Sequence, residues 1–345
     1  MKPDIVPNYY AYFLKVNGKN LSNSQKEHFF NCINKIYKNN YKFIYRGDKK
    51  DKIQSVYGLT EDRFEYDFRR SIFVLGAKAS MFIEGVLPGA NNIDIAEAGN
   101  NEFRLIFRML HNLLQRELPF GTARIAIKSF TKTEEVLVTF FRNQGNESVF
   151  IDIINGLDSQ KQIPIRDYYL ALLHHISKSD YYASSFLLST TTSFTQANKF
   201  AWSHEKKYSN NPLILFGWLP EKYEGILNAP DSRILKRKID MEALGLPFYE
   251  KSFFPGQQEI TLKGGLLPHY LLGYLHNNGE EEVFEINPAL FKQMIPGTES
   301  SCRLIRVLSI NEYKLHYLVD FSQSVRLMTN SGNIRSYKPL LLRSY

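Results

Sequence analysis

Three short stretches hold residue types suited to gripping a phosphate and steadying a positive charge. FIYRGD, residues 43–48, is an apolar run ending in Tyr45-Arg46-Gly47. A guanidinium makes paired, charge-assisted hydrogen bonds to phosphate oxygens, and a following glycine lets a ligand approach the backbone. Taken alone, an arginine at a strand end is as a rule a surface charge. The Arg-Gly-Asp triplet also matches a cell-adhesion tripeptide, which is set aside because nothing else suggests an extracellular protein. In FLLSTTTSFTQANKFA, residues 186–201, a β-like run ends in Ser189-Thr190-Thr191 before a helical pattern. Ser189 can orient a partner side chain, and the same hydroxyls equally suit helix capping. In FFPGQQEITLKGG, residues 253–265, strand alternation places Gln257 and Glu259 on one face and Gln258 on the other. A carboxylate and an amide then meet one ligand, with a polar edge-strand face as the plain alternative.

Stepping outward, FIYRGD, SSFLLST, PLILFGWL, QEITL and HYLLGYL read as short strands. Between Asn101 and Glu117, Phe103, Ile106, Phe107, Leu110, Leu113 and Leu114 recur at helical spacing. TARIAIKSF (122–130) alternates and EVLVTFF follows a polar turn, so the pair reads as a β-hairpin; RDYYLALLHHIS reads as a helix starting after Pro164. In the helix after Ser189, Ala197, Phe200 and Ala201 fall on one core-packing stripe. His174 and His175 are adjacent on a helix and face different directions, which predicts one packed and one solvated rather than an acid–base or metal pair. Strands and helices without strict βαβ alternation predict an α+β fold, and no G-x-G-x-x-G follows a strand. GGLLP, residues 264–268, lacks the Lys and Ser/Thr of a phosphate loop and reads as a turn.

The 345 residues are 43% hydrophobic and 23% charged, an ordinary globular balance. MKPDIVPNYYAYFLKVNGKN has no continuous apolar core of a secretory signal, and no stretch reaches the roughly 18 apolar residues of a membrane helix. A soluble chain in the cytoplasm, or one exported into a target-cell cytosol by dedicated machinery, is expected. Cys32 and Cys302 stand apart with no Cys/His cluster, so neither a disulfide framework nor a metal site is expected. The net charge of +8 favours polyanionic partners. Part of it clusters at Arg233, Lys236, Arg237 and Lys238, and at Lys49, Lys50 and Lys52, runs that a solvated face also explains.

An arginine at a strand, then a hydroxyl triplet at a strand end, then Gln-x-Glu after an aromatic turn resembles the Arg-Ser-Glu class of mono-ADP-ribosyltransferases. Cholera-toxin-like enzymes and Rho-modifying exoenzymes belong to it. FLLSTT with the following A..FA and QQEIT are its most specific pieces, and the resemblance covers roughly residues 41–47, 184–201 and 253–262. Thr191 stands where the family usually has Ser. Arg46 lies 143 positions before Ser189, a longer gap than usual. That implies an inserted helix-and-hairpin region at about 60–165 and puts the identity of the motif arginine in question, although Arg63, Arg69 and Arg70 lack the strand-then-glycine context.

What the resemblance implies is a single catalytic domain over residues 1–345, with two small packed mixed sheets forming an NAD cleft and a C-terminal extension at about 280–345. NAD is then the cosubstrate, without a metal. Arg46, Gly47, Tyr45, Thr190 and Thr191 would bind it, Ser189 would position Glu259, and Glu259 would contact the nicotinamide ribose. Departure of nicotinamide leaves an oxocarbenium-like ribose that a fixed carboxylate stabilises. Members with Glu at the position of Gln257 usually modify arginine, whereas Gln-x-Glu members include enzymes acting on Asn or Gln side chains and pierisin-like enzymes acting on guanine. With Phe253 and Phe254 to stack on a base, RNA or DNA is slightly favoured over protein as acceptor. The alternatives are a protein side chain, NAD glycohydrolysis and a non-enzymatic binding module. By family analogy the role is that of a toxin, effector or defence enzyme, toxic on expression, with an antitoxin or chaperone as possible partner.

Overall fold

A strand with no polar side chain has to be covered on both faces, and PLILFGWL, residues 212–219, is buried throughout. The computed structural model describes residues 7–39, 41–57, 64–73, 98–115, 135–177, 185, 187–202, 211–219, 235, 239–249, 255–263, 265–266, 270–277, 279, 281–291, 315–316, 325–328 and 334–337. Among them β1 (Phe13–Val16), β2 (Lys19–Asn20), β3 (Lys42–Lys49), β4 (Leu187–Thr191), β5 (Pro212–Leu219), β6 (Glu259–Lys263), β7 (Leu271–Asn277) and β8 (Glu282–Ile286) form one eight-stranded sheet. Its order is β2-β1-β8-β7-β5-β3-β4-β6. β1 runs parallel to β8 and the other pairs are antiparallel, so the sheet is mixed. A separate three-stranded antiparallel sheet joins β9 (Leu315–His316), β10 (Val325–Met328) and β11 (Ile334–Tyr337).

The strands bearing the three motifs therefore belong to one sheet, not to two. Its seams are unequal, however. β3 and β5 pair along their full length, from Lys42↔Leu219 to Lys49↔Pro212, and β4 and β6 pair from Leu187↔Lys263 to Thr191↔Glu259. Between β3 and β4 a single pair, Tyr45↔Thr191, joins the two parts. β8 lies between β1 and β7, so part of the expected C-terminal extension is an interior strand.

The helices are α1 (Asn23–Lys38), α2 (Lys50–Tyr57), α3 (Phe64–Phe73), α4 (Asn100–Gln115), α5 (Glu135–Arg142), α6 (Asn146–Asn155), α7 (Ser159–Ile176) and α8 (Phe194–Ala201). α1 opens with a capping box in which Ser22 accepts from Gln25 N–H and the Gln25 side chain accepts from Ser22 N–H. α4 carries the expected stripe, with Phe103, Ile106, Phe107, Leu110 and Leu114 buried. EVLVTFF is helix α5, not a strand: Leu137, Val138 and Phe141 are buried while Val136 is exposed. A seven-residue apolar run does not distinguish a strand from a buried helix, and here the aromatic face of α4 decides, with Phe141 against Phe107. TARIAIKSF lies outside the described residues.

α7 begins earlier than expected. Asp158 caps it by accepting from Lys161 N–H, and Pro164 sits inside it. The proline forfeits one backbone hydrogen bond, which burial of the stretch from Ile165 to His174 outweighs. In α8 Ala197 and Ala201 are buried, whereas Phe200 is exposed and not part of the core stripe. No helix among the described residues is long and apolar enough to cross a membrane.

Candidate active site

The register of β4 against β6 builds the centre of the site. Ser189 lies opposite Thr261, which makes Glu259 its diagonal neighbour on the same sheet face. The Ser189 carbonyl accepts from Arg46 Nη1 at 2.8 Å, and Arg46 Nη2 reaches Asp48 Oδ2 at 2.9 Å. The Ser189 hydroxyl is among the groups that favour the ionised Glu259 carboxylate. One serine thus bonds a guanidinium from β3 and stands beside a carboxylate from β6. The Arg-Gly-Asp triplet lies within β3 with its two charged ends paired to each other.

α7 supplies what the sequence reading left out. His175 Nε2 lies 3.1 Å from Glu259 Oε2. His174 lies 3.0 Å from Ser189 Oγ through Nε2 and 2.9 Å from Ser185 Oγ through Nδ1. Neither imidazole is a solvated surface group: both are within the site, with ring centroids 5.6 Å apart. The expectation of one solvated histidine fails because α7 is buried on nearly every face, so two side chains pointing in different directions both meet protein, one over β4 and the other over β6. The uninterrupted Tyr168-Tyr169-Leu170-Ala171-Leu172-Leu173 carried that signal, since a helix apolar all round is a buried one.

Burial by itself would raise the Glu259 acid; the His175 charge and hydrogen bond, the Ser189 hydrogen bond and the His174 charge outweigh it and bring the pKa down to about 2. Thr261 Oγ1 adds a longer contact at 3.4 Å to Oε1. Glu259 is therefore an anion in a nearly closed setting, its side chain 16% exposed.

Several expected contacts take other forms. Tyr45 faces the core, edge-on to Phe194 and Phe216, and is turned away from the Arg46 side of β3. Gly47 does admit a close backbone approach, but by α8: a Cβ there would stand 1.9 Å from the Ala197 carbonyl and 2.6 Å from Ala201 N. Thr190 and Thr191 donate their hydroxyls to the Ile260 and Gln257 carbonyls, at 2.7 and 2.6 Å, and so clamp β4 to the turn before β6. Ser193, not Ser189, caps the following helix. Gln257 belongs to the 3-10 turn Pro255–Gln257, and Gln258 takes a left-handed φ of 49°, so strand alternation does not relate Gln257 to Glu259. Gln257 reaches the site as a half-buried turn residue whose carbonyl is held by Thr191. Phe253 and Phe254 lie outside the described residues.

The basic runs are also changed. Lys49 is buried with Nζ on the Ala201 carbonyl at 3.0 Å, Lys50 pairs with Glu65, and Lys52 lies 3.8 Å from Asp48. They are parts of the fold, not a solvated basic face. Arg233, Lys236, Arg237 and Lys238 lie outside the described residues. Among the described residues no group of three or more His, Cys, Asp and Glu is arranged to hold a metal ion.

A serine-nucleophile triad is the other chemistry that Ser189 and His174 bring to mind. Such a triad needs a carboxylate on the far imidazole nitrogen, and among the described residues His174 Nδ1 meets the Ser185 hydroxyl. Comparison with protein-family models, curated proteins and solved structures finds no match to this chain.

Proposed function

We propose that this chain is an NAD-dependent mono-ADP-ribosyltransferase, acting as a toxin, effector or defence enzyme and transferring ADP-ribose to a nucleic acid base. Ser189 carries the reading, because its carbonyl holds Arg46 and the β4–β6 register sets Glu259 beside it on the same sheet face, from strands far apart in sequence. The single-pair seam between β3 and β4 is where an NAD cleft would open. There Arg46, its plane set by Asp48 and the Ser189 carbonyl, meets the phosphates or ribose. Glu259 meets the nicotinamide ribose.

The glycosidic bond to nicotinamide breaks with its electron pair leaving on that base, and positive charge develops on the ribose beside the Glu259 anion. A base nitrogen then bonds to the same ribose carbon through its lone pair and gives up its proton to water. A preorganised charge of this kind contributes about 10²–10³-fold in rate. Gln257 supports an acceptor that offers hydrogen bonds in place of a guanidinium, and the net charge of +8 supports a polyanion.

Nicotinamide release and label transfer from NAD to total RNA, DNA and protein test this. Wild type is expected to label nucleic acid and arrest growth on expression, and Glu259→Gln to lose at least about 10²-fold in nicotinamide release without arresting growth. Label in protein would move the acceptor to a side chain, and nicotinamide without label would make the enzyme a glycohydrolase. A wild type that consumes no NAD would leave a binding module and end the proposal.

A further inference from the structure

Hydrogen counting through the site assigns a task to α7. Ser189 has one hydroxyl hydrogen, and an ionised carboxylate can only accept; with that hydrogen turned to Glu259, His174 Nε2 carries the hydrogen it shares with Ser189 Oγ at 3.0 Å. At the other end the Leu187 N–H donates to Ser185 Oγ at 3.1 Å, and His174 Nδ1 lies 2.9 Å from the same oxygen. His174 is thus held between a serine on each side, with a hydrogen on Nε2 facing Ser189. His175 donates separately from Nε2 to Glu259 Oε2.

We propose that His174 and His175 are positioning residues for Glu259, His175 by a direct hydrogen bond and His174 by fixing the direction in which Ser189 donates. The proposal rests on the transferase reading for what Glu259 does, but its hydrogen-bond geometry does not. Among the described residues the groups facing Glu259 are His174 and His175 from α7, Ser189 from β4 and Thr261 from β6, with the Arg46–Asp48 pair of β3 behind Ser189. His175 is the first of the charges that hold the carboxyl down against burial. Removing it should let the acid limb of the pH profile climb towards the ordinary carboxylate range.

The test uses the full chain in two arms. In the first, nicotinamide release is followed against pH. His175→Ala should lower kcat by about 10–100-fold, the size of effect seen when an outer partner of an active group is lost, with little change in KM and with the acid limb moved up. His175→Gln, which keeps an N–H donor at that reach, should recover most of the neutral-pH rate. In the second arm, ring-nitrogen NMR of the ¹⁵N-histidine-labelled protein should show His174 protonated on Nε2, perturbed by Ser189→Ala, and His175 perturbed by Glu259→Gln. Wild type inactive on NAD would defeat the transferase reading while this spectrum still decides the placement of the histidines. Active wild type with an unchanged pH profile in His175→Ala, or a His174 without a hydrogen on Nε2 in the spectrum, would overturn the inference.

Discussion

At the scale of the residue, Glu259 sets a term in stability as well as a chemical role. Its folded pKa of about 2 lies below the ordinary value of 4.5, so the folded state binds its proton less readily than the unfolded chain. The contribution is fully present above the unfolded value and is lost as pH falls through about 2. A shift of this size corresponds to about 3 kcal/mol. Urea unfolding of wild type and Glu259→Gln at a series of pH values should show a wild-type advantage of that order near neutrality, shrinking as the pH drops below about 4. An advantage that stays constant down to the acid limit would mean that His175 and Ser189 do not hold the carboxylate as described. The three motif residues were legible because each sits in a marked local context: a strand before glycine, a hydroxyl run, and a carboxylate after a Pro-Gly turn. The two histidines were not, because their partners come from β4 and β6 and nothing local to His174-His175 names them.

At the scale of the element, Gly47 lets a helix close on a strand. Its missing side chain makes room for the backbone of α8, whose Ala197 and Ala201 are small for the same purpose. Backbone cannot rotate aside as a flexible side chain can, so Gly47→Ala should cost at least about 3 kcal/mol, the upper end of ordinary overpacking. A thermal melt would register this as a clear fall in midpoint, and an unchanged midpoint would show that α8 does not press on β3. The strands were read well where length and apolar content agreed, as in PLILFGWL. α5 was misread because Val136, Leu137 and Val138 favour a strand locally, and only packing against α4 selects the helix. The start of α7 was misplaced for a related reason: Pro164 is a strong local stop, overridden by burial along the rest of the helix.

At the scale of the whole molecule, α7 is pinned to β6 at two points. Midway along the helix Asp167 accepts from Lys263 Nζ at 2.6 Å, and near its end His175 meets Glu259. The helical rise from Asp167 to His175 is roughly 12 Å, and the strand rise between Lys263 and Glu259 is about 13 Å. The helix therefore lies antiparallel along the full strand, and the two contacts fix one alignment. Asp167 also takes two hydrogen bonds from Arg166, which reaches Glu102 of α4 at 3.3 Å, and all four charged groups are buried. Such a network was beyond sequence reasoning, since Glu102, Arg166, Asp167 and Lys263 look like ordinary surface charges until three elements converge on them. Among the described residues its two cations and two anions balance, so removal of one leaves an uncompensated buried charge. Asp167→Asn should destabilise the protein by about 3–5 kcal/mol, a midpoint fall on the order of 10 °C. The exposed Arg108–Glu147 pair is the natural control, because screening and side-chain entropy leave such surface pairs with little effect. If Glu147→Gln lowered the midpoint as much as Asp167→Asn, the buried network would not be what holds α7 over the sheet, and the shared alignment of the two pins would lose its physical basis.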